Sequence, residues 1–213
     1  MNGLILAYFL KMERIARKPL LLLALLGISI SVFASNQTVM YIFMFVFITA
    51  APILFFSLFF ADENKSWSRY ELLLPIAMEK ILLAKFILSL ICTIVTLLLL
   101  FTFVHVVILF HALKYFDLGY RDVFTILCFA LAYCLTIYSL SFFAMYGPLK
   151  INSILSFAIC TICAYMLLLC VIACLNLNNI SLDTGRIIII IFSALFYIVS
   201  YALSAILYKK TEI

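Results

Sequence analysis

The chain has 213 residues, is 69% hydrophobic and 11% charged, and carries a net charge of +5. Soluble domains are nearer half apolar and a quarter charged, so this composition excludes a water-soluble globular protein. No segment alternates at period two as a barrel strand does, so the runs that cross lipid are expected to be helices, each backbone group finding its partner internally. The fold class predicted is an all-α polytopic membrane protein.

Residues 1–18, MNGLILAYFLKMERIARK, are amphipathic rather than spanning. On a helical wheel Leu4, Ile5, Tyr8, Phe9, Met12, Ile15 and Ala16 share one arc, and Lys11, Glu13, Arg14, Arg17 and Lys18 share the other. Such a helix is expected to lie in the interface, with Arg14, Arg17 and Lys18 anchoring it to anionic headgroups of membrane lipids. Pro19 marks a break and suits the start of a new helix. The basic residues come late and no small-x-small site follows them, so the first apolar run is expected to be a retained helix and not a cleaved signal.

Six spans are predicted: 20–36, 39–60, 82–112, 123–146, 150–175 and 187–208. A helix needs about 20 residues to cross a hydrocarbon core of ~30 Å, so the first is short and the third is long enough to project or tilt. Pro52 can kink the second. With the N-terminus inside, the cytoplasmic side receives eleven of the 14 basic residues, and only Lys114, Arg121 and Arg186 fall outside. That asymmetry predicts both termini in the cytoplasm. The outer connections SNQTV, KYFDLGYRD and NLNNISLDTGR leave no external domain, and no repeat or linker divides residues 1–213, so the chain is read as a single membrane domain.

Catalytic signatures are missing. The chain has no HExxH, no GxSxG and no carboxylate pair within a span, and the intramembrane charges that mark ion or proton paths are confined to span boundaries. His105 and His111 are six apart and do not share a helix face well; His105 is expected to be a buried hydrogen-bonding residue. The seven cysteines all lie in apolar runs and are read as small hydrophobes, including the Cys160-x-x-Cys163 pair, which has no nearby histidine or carboxylate to complete a metal site. No GxxxxGK[ST] loop is present, so the chain has no phosphate loop of its own. No cofactor is expected in this chain.

One segment breaks the apolar pattern. ENKSWSRYELLLPIAMEKILLAK, residues 63–85, holds Glu63, Lys65, Arg69, Glu71, Glu79, Lys80 and Lys85 together with the single tryptophan, Trp67. Asp62 to Glu71 reads as a polar helix start, Leu72-Leu73-Leu74-Pro75 as an apolar elbow, and from Ile76 a new helix runs toward the third span. The alternative is a solvated loop with Trp67 anchoring it at the interface. A Trp-Tyr-Leu ridge beside a proline elbow better fits a short element that docks in a partner's groove.

This segment resembles the cytoplasmic connection of ABC-2 type transporter permeases, the small bacterial six-helix kind. These carry an acidic residue after the second helix, an aromatic, and then a stretch close to L-x-LP-[IV]-S-R-x-x-I-V-x-x-K-[YF]. Glu63, Trp67, Leu72, Leu74-Pro75-Ile76, Ile81-Leu82 and Lys85-Phe86 stand in matching register; Ala77 and Met78 replace the usual Ser and Arg. The resemblance implies a multi-pass subunit of a bacterial cell membrane with a coupling segment at 62–80. It works with two copies of an ABC ATP-binding subunit, which bind Mg-ATP, and with a second permease chain, identical or related. It assigns docking to Glu63, Trp67, Arg69, Tyr70, Leu74 and Pro75, with Lys150 as a weaker second contact, and makes Lys85 an interface anchor. It also brings helices two and five to a central path. Helix two supplies Tyr41, Phe43, Phe45, Phe47, Phe55 and Phe56; helix five supplies Ser153, Ser156, Thr161 and Tyr165. An aromatic, uncharged lining suits export of an amphipathic peptide, toxin or drug; nucleic acid is not an expected partner. An immunity or assembly protein that holds a peptide in the membrane without any ATPase remains the alternative. An intramembrane lipid enzyme is a third possibility, one that a metal held by His105, His111 and Asp117 would favour.

Overall fold

The computed structural model describes residues 10, 18, 19, 21, 22, 24–30, 36–63, 78–112, 114–146 and 153–210, the side chains of 54–63, 78, 153, 154 and 208–210 excepted. Among the described residues every regular element is a helix. Residues 24–30 form α1, followed by α2 (Gln37–Glu63), α3 (Met78–His111), α4 (Tyr120–Tyr146), α5 (Ser153–Leu177) and α6 (Leu182–Lys210). Four stretches are long and apolar enough to cross a membrane: Glu79–His111, Tyr120–Tyr146, Leu155–Leu177 and Leu182–Leu207. Gln37–Ile53 is a shorter apolar stretch within α2. The protein is a polytopic helical membrane protein. Of the first predicted span, 20–36, the structure describes α1, whereas 31–35 lie outside the described residues.

Several helix ends lie beyond those predicted, and local capping explains the start of α2, the end of α5 and the start of α6. Asn36 caps α2, its Oδ1 accepting from Thr38 N at 3.0 Å, so the helix begins before residue 39. The last turn of α5 reaches Leu177 and closes with Asn179 at φ 53°, while Ile180 N donates to the Leu175 carbonyl at 3.1 Å. That pair of features is a Schellman closure, in which a left-handed residue ends the helix. Ser181 then caps α6, which starts at Leu182, five residues before the predicted 187; its hydroxyl shares a 2.8 Å bond with Thr184 and accepts from Thr184 N. α3, at 34 residues, is about 50 Å long, well beyond a hydrocarbon core of ~30 Å.

α4 is the central post. It is mostly buried inside the protein, whereas α5 and α6 leave most of their surface outward. Its neighbours can approach because the contact positions are small. Ser139 and Ser141 of α4 and Ser193, Ser200 and Ser204 of α6 are all buried, and the three α6 serines recur at i, i+7 and i+11 along one face. In lipid such residues replace the hydrophobic driving force with close backbone packing and hydrogen bonds. Ser200 donates to the Ser139 carbonyl at 2.7 Å, and Thr136 lies 3.4 Å from the Ser193 hydroxyl.

The core falls into two blocks. One joins α3, α4 and α6 around Ile81, Leu82, Phe86, Leu88, Phe142, Tyr146 and Tyr197. The other joins α2, α3, α4 and α5 around Met40, Phe47, Leu100, Val104, Tyr133 and Leu168. The turns α3–α4 and α5–α6 lie at one end of the bundle, beside the start of α2. Gln37 Nε2 there reaches the Tyr115 carbonyl and Asp117, and Arg121 pairs with Asp183. Arg186, 7% exposed, ties the same two turns together. It donates to Asp183 at 2.7 Å and to the Arg121 carbonyl at 3.0 Å, above the Phe124 ring.

Two sequence expectations are corrected here. His105 is exposed on α3; its Nδ1 hydrogen-bonds the Phe101 carbonyl at 2.9 Å, so its polar need is met by its own helix and not in a core. Cys92, Cys128, Cys134 and Cys160 are buried as small hydrophobes, but Cys163, Cys170 and Cys174 are exposed. Among the described residues of α5 the fully buried ones form one row (Ser156, Cys160, Ala164 and Leu168), and Cys163, Cys170 and Cys174 lie off that row.

Candidate translocation surface and docking segment

The α2–α3 connection joins Glu63, the last residue of α2, to Met78, the first of α3. Trp67, Arg69, Tyr70, Leu74 and Pro75 lie outside the described residues, as do Arg14, Arg17 and Lys150. Lys18 is helical and exposed. Lys85 is only 8% exposed, so its side chain is enclosed by protein on α3. Its neighbour Phe86 closes the same motif and seats α3 on the bundle. Its ring stacks on Phe142 at 4.3 Å and meets Tyr197 and Tyr201 edge-on at 5.2 and 5.1 Å. The Tyr197 hydroxyl also donates to the Phe86 carbonyl at 2.6 Å. The terminal aromatic of the motif thus holds the start of α3 against α4 and α6.

The aromatic side chains of α2 divide between two faces, because residues two apart on a helix are separated by roughly 200°. Phe43 and Phe47 turn toward α3 and meet Phe103 at 5.0 and 6.4 Å. Gly27 of α1 lies against this pair; a Cβ there would stand 3.2 Å from Phe103 and 3.3 Å from Phe43. Ala24, Gly27, Phe47, Leu99 and Phe103 line a small apolar cavity of about 80 Å³ between α1, α2 and α3.

Phe45 and Thr49 point the other way, toward α5. Phe45 stacks on Tyr165 at 4.7 Å, and the Thr49 and Tyr165 hydroxyls are 2.6 Å apart. Thr49 donates to the Phe45 carbonyl at 2.7 Å, so it accepts from Tyr165. From α4, Tyr133 stacks on the opposite side of Tyr165 at 4.4 Å, and Phe129 lies 6.5 Å away. Of the residues predicted for a path, the structure therefore brings Tyr165 together with Phe45, and Phe43 together with Phe47, on opposite sides of α2. Ser156 is buried on the inward row of α5. Phe55 and Ser153 lie within α2 and α5, their side chains among those not described.

Thr49, Phe129 and Tyr133 were missed by the sequence reading. The signal available for Thr49 was its i+4 spacing from Phe45, which puts both on one helix face. For Tyr133 it was a tyrosine in the middle of an apolar span, whose hydroxyl lipid cannot satisfy. The surface so formed is aromatic, with hydroxyls as its polar groups. It can bind apolar or aromatic groups and offer hydrogen bonds, but it has no acid, base or nucleophile poised for chemistry. Among the described residues no group of three His, Cys, Asp or Glu side chains could hold a metal ion.

The family described as ABC-2 family transporter protein matches residues 3–209, nearly the whole chain. No curated protein and no solved structure matches it.

Proposed function

The chain belongs to the ABC-2 transporter family, and on that premise we propose that it is the permease half of an exporter, with ATP hydrolysed by a separate subunit. The observation that carries this reading is the family match over 3–209 together with the Glu63–Phe86 motif, which bridges two adjacent helices of a chain without a phosphate loop. Glu63, Trp67, Arg69, Tyr70, Leu74 and Pro75 form the docking element, and Lys150 adds a second contact. Two such chains and two ATPase chains make the working unit. The ATPase pair binds nucleotide better in one global state, and the docked segment passes that preference to α2 and α3.

The six-span, N-in and C-in arrangement of the bacterial cell membrane belongs to the same proposal, supported by the basic-residue asymmetry. The substrate is an amphipathic or hydrophobic compound, a peptide, toxin or drug. The support is the aromatic surface around Tyr165, where Phe45, Phe129 and Tyr133 meet a Thr49 hydroxyl. Such a lining rewards apolar area and a few hydrogen bonds, and offers an ion nothing in exchange for its hydration.

The test is capture of the tagged chain from native membranes, with crosslinking before extraction. A stoichiometric ATPase carrying a phosphate loop is expected, and it should be lost in a Trp67→Ala, Pro75→Ala double variant that still inserts. If crosslinked membranes yield no ATPase, the permease reading fails and sequestration of a peptide without ATP becomes the better account.

A further inference from the structure

The turn between α3 and α4, read from sequence only as a short connection, sends two of its side chains into the core. Tyr115 and Phe116 are 5% and 3% exposed and pack into the same core block as Met40, Val107 and Val123. The turn covers that end of the bundle with two aromatic side chains. It is bounded by two residues in left-handed backbone, Ala112 at φ 52° and Gly119 at φ 64°. Glycine adopts this conformation freely, but alanine does not, so Ala112 holds strain that release of the turn would relieve.

The turn is tied down from another helix. The Tyr115 carbonyl accepts from Gln37 Nε2 and from the Tyr41 hydroxyl, each at 3.2 Å. Gln37 Nε2 also lies 3.3 Å from Asp117 Oδ2. Gln37 and Tyr41 are four apart and so share one face of α2. The connectivity gives these contacts their meaning. α2 and α3 are joined covalently through the Glu63–Met78 connection at one end of the bundle. At the other end α3 runs directly into the turn, and α2 holds that turn by hydrogen bonds and by Met40, which packs in the same core block as Tyr115 and Phe116. Any sliding of α2 along α3 is therefore felt at the Tyr115 carbonyl. α2 spans 27 residues, about 40 Å, between the two sites.

We propose that the turn carried by residues 114–119 is a gate at the end of the bundle opposite the docking segment, latched by Gln37 and Tyr41 on the Tyr115 carbonyl. As a gate it rests on the permease reading above. In the structure the turn is closed, with Tyr115 and Phe116 seated in the core. Nucleotide binding at the docked ATPase moves α2 against α3, breaks the two bonds and frees the turn.

Amide hydrogen exchange of the peptide covering 112–119 tests this in two arms. The first uses the full chain alone in lipid nanodiscs. Tyr41→Phe and Gln37→Leu remove one donor each, so each should speed exchange of the turn about fivefold, and the double variant more. Thr49→Val, about two turns further along α2 from Tyr41, should leave the turn unchanged, and unaltered exchange in α4 peptides reports that the variants fold. The second arm uses the copurified complex, where a non-hydrolysable ATP analogue should speed exchange of the wild-type turn. Unchanged exchange in a folded Gln37→Leu, Tyr41→Phe double variant overturns the latch. A latch that responds to both substitutions but not to nucleotide, in a complex that does contain the ATPase, overturns the gate and leaves the permease reading standing. Failure to recover any ATPase sinks the permease reading, and the gate with it, whatever the first arm shows.

Discussion

Replacing Phe86 with alanine perturbs the point where the family-like motif enters the bundle. In a water-soluble core such a truncation costs about 3–5 kcal/mol, of which transfer from water is a large part. Lipid tails are as apolar as the protein interior, so that part largely disappears here. What remains is packing. Phe86 is 3% exposed and meets three rings, Phe142 stacked at 4.3 Å and Tyr197 and Tyr201 edge-on at 5.2 and 5.1 Å. Each aromatic pair contributes ~0.5–1.5 kcal/mol beyond burial, and the cavity adds to their sum. The expected loss is about 2–4 kcal/mol for Phe86→Ala, and less for Phe86→Leu, which fills much of the space. Reversible unfolding in mixed detergent micelles, followed by circular dichroism, measures it. A loss under about 1 kcal/mol for Phe86→Ala would refute the claim that this residue seats α3 on α4 and α6.

Two further substitutions probe the close approaches. Ser200→Leu puts a branched side chain where α6 meets the Ser139 carbonyl at 2.7 Å, and overpacking of that seam is expected to cost about 1–3 kcal/mol in the same assay. Ser200→Ala loses only the hydrogen bond and should stay under about 1 kcal/mol. Gly27→Val adds a Cβ at 3.2 Å from Phe103 and 3.3 Å from Phe43 and two methyls beyond it. It should push α1 away from α2 and α3, read as faster maleimide labelling of an Ala24→Cys reporter in a background free of other cysteines; unchanged labelling would show that α1 does not depend on that contact.

The spans were legible because apolar runs in lipid leave the backbone little choice but the helix. Their ends were harder to read, since Ser181 and Asn179 belong to a stretch that composition alone marks as loop. There the decisive features are a hydroxyl cap and one left-handed residue. The packing of the α3–α4 turn was not legible for a related reason. KYFDLGYRD has the polarity of a solvated connection, and nothing in it announces that Tyr115 and Phe116 fold back into the core. The face on which a side chain lies was legible only where neighbours four residues apart agreed. Phe43 with Phe47, and Phe45 with Thr49, sort correctly by helical angle alone, but which neighbour each face meets is a tertiary fact. Tyr133 reached the candidate surface from a helix to which the sequence assigned no site.

The distribution of polar contacts indicates which parts of the bundle can move together. α4 and α6 are bound by Ser200 to the Ser139 carbonyl, by Thr136 beside Ser193, and by the Arg121, Asp183 and Arg186 clasp at the turn end. Breaking that pair would leave buried polar groups without partners in lipid, which is costly. α3 is fixed to the same pair near its start by Phe86 and by the shared Tyr197 and Ser89 hydroxyls, 2.6 Å apart. α2 and α5 are held differently. The fully buried residues of α5 form one row, and among the described residues α2 and α5 meet at Tyr165, through the Phe45 stack and the Thr49 bond. Among the described residues, the polar contacts that a displacement of α2 against α3 would disturb include the bonds from Gln37 and Tyr41 to the Tyr115 carbonyl. Under the permease reading this makes α3, α4 and α6 the frame and α2 the moving part. The aromatic surface around Tyr165, built from α2, α4 and α5, lies where those two parts meet.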